Sequence, residues 1–316
     1  MTLGVLALFV LMAYGQEKKF ALYSVAFYNM ENLFDTIHDE GKNDYEYLPN
    51  GTNQWNTMKY KAKLKNMSEI LSMLSTDKLP MGPAIIGVSE IENYRVLEDI
   101  LKQPVLADRG YQYVHYEGAD QRGVDCAFFY NPKLFELTNS KLVPYVYIND
   151  TVHKTRGFLI ASGNIAGEKM HFIVNHWPSR AAASPARERA GEQVRAIKDS
   201  LLREDSAAKI VIMGDMNDDP MDKSMAVALG AKRKPADVGP TDLYNPWWDT
   251  LKKGYGTLMY KGKWNLFDQI VFTGNLLGTD RSTLKFYKHE IFYLFQKLFV
   301  HYFPVSYTHL TLPTIR

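Results

Sequence analysis

Oxygen-bearing side chains crowd residues 210–220, where Asp215, Asn217, Asp218 and Asp219 follow the apolar run Ile210-Val211-Ile212-Met213 and the glycine Gly214. The run is β-rich and unbroken, as in a strand buried on both faces. Asp215 and Asn217 stand two apart, so at a strand tip their side chains point the same way. A hard cation or an attacking water can use both. The same residues also suit a plain strand-to-helix turn, with Asp219-Pro220 as N-cap and first residue of a short helix through Leu229. Both readings stand for this stretch taken alone.

Other strand-like runs end in similar chemistry. Residues 20–29, FALYSVAFYN, lead to Asn29, Glu31 and Asn32. Residues 83–88, PAIIGV, lead to Ser89-Glu90-Ile91-Glu92-Asn93, and residues 170–175, MHFIVN, deliver His176-Trp177-Pro178-Ser179-Arg180. Asp268 is a lone acid in the apolar strand at residues 266–272. Strand ends at one edge of a packed sheet converge, and such an edge is a usual place for a site.

The elements that must position these residues read as many strands with interspersed helices. A helix from Asn56 carries Leu64, Met67, Leu71 and Leu74 on one stripe and lysines on the other face. Acidic Glu90 and Glu92 precede a second helix with Val96, Leu97, Ile100 and Leu101. Strands are expected at 111–116, 126–130, 142–148 and 158–165, and a helix at 187–202. Residues 256–263 read as a hairpin with a Lys-Gly-Lys turn. The pattern predicts α/β or α+β layers rather than a helix bundle.

Composition sets bounds. The chain has 316 residues, 46% hydrophobic and 23% charged, with a formal net charge of +2. No global field marks nucleic-acid binding, so any basic groove is local. The single cysteine, Cys126, excludes an internal disulfide framework and a cysteine-rich zinc site. It lies in an apolar strand and reads as a small buried hydrophobe. Residues 3–12 are apolar, too short to span a bilayer, and followed by Ala13-Tyr14-Gly15 and polar Gln16-Glu17-Lys18-Lys19. That matches a secretory signal peptide, so residues 1–15 are expected to be removed on export to the periplasm or beyond. No later segment reaches membrane length.

Six ordered motifs carry a resemblance: YNMENLFD, GVSEIEN, RGVDCAFFYNP, NHWPSR, MGDMNDDP and WNLFDQIVF. Over residues 20–290 they resemble the endonuclease/exonuclease/phosphatase superfamily, the deoxyribonuclease I-like fold, and within it the secreted bacterial nuclease branch. The resemblance implies a four-layer sandwich of two packed mixed β-sheets flanked by helices. It implies a metal-dependent phosphoesterase, with Mg²⁺ expected and Mn²⁺ or Ca²⁺ as alternatives. By it, Glu90 and Asn29 are metal ligands, His176 hydrogen-bonds the scissile phosphate, and Asp215 positions or deprotonates water. Asn217 holds the phosphate, and Asp268 orients a second histidine. Arg180, Asp125 and Trp264 are assigned to substrate, with Asp125 also a support for His176. Arg187 and Arg189 are further candidates for phosphate contact, and Trp177, Trp247 and Trp248 for stacking on bases.

The expected function is a nuclease acting on DNA or RNA as a monomer, with a phospholipid or inositol phosphate as the rival substrate. One departure stands out. The family closes on a Ser-Asp-His strand, whereas this chain offers Val300-His301-Tyr302-Phe303-Pro304. The domain is therefore expected over residues 20–304, C-terminally shortened, with residues 305–316 a non-native tail. By this departure the rival to an enzyme is a catalytically impaired product that binds phosphate-rich ligands.

Overall fold

The computed structural model describes residues 20–76, 79–148, 152–293 and 306–315. The expected signal segment and residues 300–304 lie outside them. Strands run in chain order as β1 Phe20–Leu33, β2 Ile85–Ile91, β3 Gln112–His115, β4 Asp125–Tyr130, β5 Glu136–Val143, β6 Phe158–Ile165, β7 Glu168–His176 and β8 Lys209–Asp215. They continue as β9 Ala231–Lys232, β10 Leu243–Tyr244, β11 Leu258–Tyr260, β12 Lys263–Asn265, β13 Asp268–Thr273, β14 Lys288–Tyr293 and β15 Ser306–Ile315. The helices are α1 Thr57–Met73, α2 Tyr94–Leu101, α3 Pro104–Ala107, α4 Ser184–Glu204 and α5 Trp248–Lys252.

Two mixed sheets form the centre. One has the order β14-β15-β1-β2-β4-β3, the other β5-β6-β7-β8-β13-β10-β9. Both faces of β1 and β8 are covered, which explains why their alternating side chains are apolar on either side, Ser24 of β1 apart. Val25 and Phe27 of β1 meet Val211 and Met213 of β8 in the core between the sheets. Ala26 and Tyr28 face the other way, onto Leu64 and Met67 of α1 and Val96 of α2. Ile210 and Ile212 likewise pack on Ala190 and Val194 of α4. The result is the expected four layers. At Gly87 the sheets lie so close that a Cβ would come within 2.5 Å of Met213 Sδ.

Helix α1 starts where Asn56 predicts, since its side chain accepts the N–H groups of Met58 and Lys59. Two local expectations fail. Residues 142–148 are not a strand: β5 ends at Val143, and after Pro144 the chain leaves the sheet to lay Tyr145 on α4, its hydroxyl donating to Ala186 O at 2.8 Å. Asp219-Pro220 does not open a helix, because a turn closed by Asp222 intervenes and the helical segment is Ser224–Leu229. Ser306–Ile315 forms β15, which pairs antiparallel with β1 from Phe20 to Phe27 and with β14.

Candidate active site

Five strands bring these residues together. Strands β7 and β8 are parallel and in register at His176 and Asp215, and antiparallel β13 sets Asp268 opposite Asp215. In the other sheet β1 and β2 run parallel, with Asn29 opposite Ser89. Register then breaks on both sides of β2, between Asn29 and Leu33 and between Ser89 and Ile91. Glu90 is the extra residue, with φ +58°, and Asn217 has φ +51°. A bulge or a positive φ in a non-glycine residue costs energy and re-aims the side chain; Glu90 has both and Asn217 the positive φ.

Asn29 is the tie between the sheets. Its amide N–H groups donate to Glu90 Oε1 at 3.1 Å and Asp215 Oδ2 at 3.0 Å. Its own oxygen accepts the Glu31 N–H at 2.8 Å, so it presents donors, not an oxygen, to the two acids. Glu90 Oε2 accepts the Asn32 N–H at 2.9 Å, and His176 Nε2 stands 3.6 Å from Glu90 Oε1. Asn217 closes the far side: its N–H donates to Asp215 Oδ1 at 2.9 Å and its amide to Trp177 O at 3.0 Å. One ligand atom each from Glu90, His176 and Asp215 lie within 4.8 Å of one another.

Electrostatics divide the roles. Burial, then the Glu90 charge, push Asp215 up to about 6, against the Asn217 N–H and the Asn29 amide. Burial, then Asp215, hold Asp268 well above the usual carboxylate range. His176 is kept well below the usual imidazole range by burial, then by Arg156 and Arg122, so its ring is neutral near pH 7. Its Nδ1 is buried without a hydrogen-bond partner. Two carboxylates meeting with only an amide between them lack positive charge. This donor set suits a hard divalent cation, with oxygens from Glu90 and Asp215.

The remaining expected residues fall in different places. Among the described residues Asp268 contacts no histidine; its N–H donates to Thr257 Oγ1 at 3.1 Å. Asp125 does not support His176. Strand β3 runs back along β4 and brings His115 to it, with Nε2 3.4 Å from Asp125 Oδ2, and Gly118 N–H donates to the same oxygen at 3.0 Å. Arg180 reaches the site only as a brace, donating to Asn217 O at 3.1 Å and pairing with Asp219 and Asp222. Arg187 is buried against Asp218, its Nε 2.9 Å from Oδ1, while Arg189 pairs with Glu192 on the surface. Trp177 and Trp247 are wholly buried and unavailable for stacking. Trp264 stays half-buried on β12, and Cys126 is a buried hydrophobe.

Two residues escaped the sequence reading. Arg156 is buried under the site, donating to Trp177 O at 2.8 Å and to Asp120 at 3.0 Å. Lys63 of α1 donates to the Glu31 carbonyl at the rim. Arg156 had one signal, a charge two residues before the apolar run of β6. Lys63 had none, since it belongs to a helix face of similar lysines.

The model of the Endonuclease/Exonuclease/phosphatase family matches residues 24–301. The chain belongs to that family. Its members are hydrolytic phosphoesterases that generally use divalent metals. Zebrafish (D. rerio) TDP2 complexed with a single-strand DNA product is similar in fold, with TM-score 0.59 and 14% identity over 92% of this chain and 99% of that one. The human Nocturnin catalytic domain with bound sulfate gives 0.58 and 14% over 95% and 98%. A Bacteroides thetaiotaomicron mannosyl-6-phosphatase gives 0.56 and 14% over 92% and 98%. Among the curated proteins the sequence finds no match.

Proposed function

We propose that this family member is a Mg²⁺-dependent nuclease that hydrolyses phosphodiester bonds of DNA or RNA with water. The observation that carries this reading is the meeting of Glu90, Asp215 and His176 atoms within 4.8 Å at the mouth of two sheets. Glu90 and Asp215 would hold the cation. When bound, a divalent ion supplies charge neutralisation at phosphate oxygens and acidifies water. Asp215, held between the Asn29 amide and the Asn217 N–H, would position water for attack on phosphorus and take up its proton. Neutral His176 offers an N–H to a phosphate oxygen as its charge grows. Asn217, fixed at both its N–H and its amide, holds that oxygen's position.

The likeness to a TDP2 solved with single-strand DNA product supports a nucleic-acid substrate. The likeness to a mannosyl-6-phosphatase gives a phosphomonoester as the second reading. Both chains share only the fold with this one, so the substrate is a matter for assay. The chain is incubated with plasmid DNA, RNA, sphingomyelin and inositol phosphates, with Mg²⁺ and with EDTA. Metal-dependent cleavage of a nucleic acid is expected. Turnover of only a phosphomonoester or lipid, or turnover undiminished by EDTA, overturns the reading.

A further inference from the structure

The β11–β12 hairpin stands beside this site and has no role in the chemistry above. Residues 252–264, KKGYGTLMYKGKW, hold four lysines, two tyrosines and a tryptophan, and no acid. The whole of β11 is exposed, with Tyr260 61% accessible. At its foot the hairpin is fixed to the site. Thr257 Oγ1 accepts the N–H groups of both Phe267 and Asp268 at 3.1 Å, and Thr257 N–H donates to Asn265 O at 2.8 Å.

Register gives the hairpin two unlike faces. Leu258 pairs with Asn265 and Tyr260 with Lys263, while Met259 pairs with Trp264 on the opposite face. The Tyr260 face is the one joined to the site: Arg180 donates to Asn265 Oδ1 at 3.2 Å and, through Nε, to Asn217 O. A continuous path therefore runs from Asn217 through Arg180 and Asn265 to Lys263 and Tyr260. Lys261 holds its ammonium 5.2 Å over one face of the Tyr260 ring.

We propose that this hairpin is a binding arm for a single-stranded segment of nucleic acid, with Tyr260 stacking on a base and Lys261 and Lys263 meeting phosphates. The inference rests on the nuclease reading for the nature of the ligand. A ring with exposed area, flanked by cations and free of acids, is what unpaired bases on a phosphate backbone require. A lipid surface fits less well, because the exposed apolar side chains Leu258 and Met259 point to opposite faces and cannot insert together.

The test measures binding in EDTA, where metal-dependent turnover is stopped. Anisotropy of a labelled twelve-nucleotide oligo(dT) is followed against the full chain, Tyr260→Ala and Lys261→Ala/Lys263→Ala. Tyr260→Ala is expected to weaken binding by about five- to a hundredfold, the usual worth of one stacked base. The double lysine variant is expected to lower the slope of log affinity against log salt by about 1.4, from two phosphates at about 0.7 each. Unchanged affinity and slope overturn the proposal. So does tighter binding to phosphatidylserine vesicles than to oligo(dT), or equal binding to a blunt duplex. Because binding needs no turnover, the two readings fail separately. Hairpin-dependent binding without cleavage in Mg²⁺ removes the nuclease reading alone, and cleavage with hairpin-independent binding removes this one alone.

Discussion

Glu90 and Asp215 hold each other in tension, and Asn29 is the donor that lets them stay close. Glu90→Gln removes a charge but keeps an acceptor for the Asn29 amide and the Asn32 N–H. Mg²⁺ is expected to raise the melting temperature of the parent chain and not of this variant, since binding to the folded state alone stabilises it. An equal Mg²⁺-induced shift in both would remove Glu90 from the metal site. Asp215→Asn is expected to lower kcat by about 10² to 10⁴. The fold should survive, because the change relieves a buried charge beside Glu90. A variant that loses activity only by unfolding would instead make Asp215 a structural turn residue. These two acids were legible in the sequence because polar residues directly after unbroken apolar runs mark strand ends. Arg156 was not, since its partner, the Trp177 carbonyl, is distant along the chain and the contact exists only once β6 and β7 have paired.

At the scale of elements, the site depends on how strands end. Strand β8 sets Gly214 against Asn175 of β7, one step before Asp215 meets His176. A Cβ at Gly214 would lie 2.2 Å from Asn175 O, a backbone atom that cannot swing away. Gly214→Ala is therefore expected to cost about 1–3 kcal/mol, as overpacking does, and to shift the two site residues apart. Urea unfolding and kcat together check this, and a variant with parent stability and rate would show that the strands part freely. The sequence located β6 at its true bounds because its apolar run is buried on both faces. It misplaced the strand at 142–148 because Tyr145 and Tyr147 look β-like while serving as cover for α4. The bulge at Glu90 was not legible either, since nothing in Ser89-Glu90-Ile91 announces an extra residue. It emerges from a mismatch between three paired strands.

Across the whole molecule, two sheets and their helices also bury ionisable groups that take no part in the site's hydrogen bonds, and these contribute to how stability follows pH. His289 of β14 lies against Trp247, ring centroids 4.8 Å apart, with Nε2 3.0 Å from the Thr250 hydroxyl. Burial, then the Lys253 charge, lower it to about 4 from an ordinary 6.5, against the opposing pull of Glu290. In the unfolded chain the ring takes its proton near 6.5, so between 6.5 and 4 the unfolded state binds more protons than the folded one. Stability from the neutral ring is fully present above about 6.5 and is lost as pH falls toward 4. The ring is partly exposed, which discounts the effect to on the order of 1–2 kcal/mol. His289→Gln keeps a partner for Thr250 and removes the titration. Unfolding free energies at pH 7 and pH 4.5 should therefore differ less in this variant than in the parent, by about that amount. Equal pH dependence in the two proteins would mean that His289 is open to solvent and that the β14 edge does not close over Trp247.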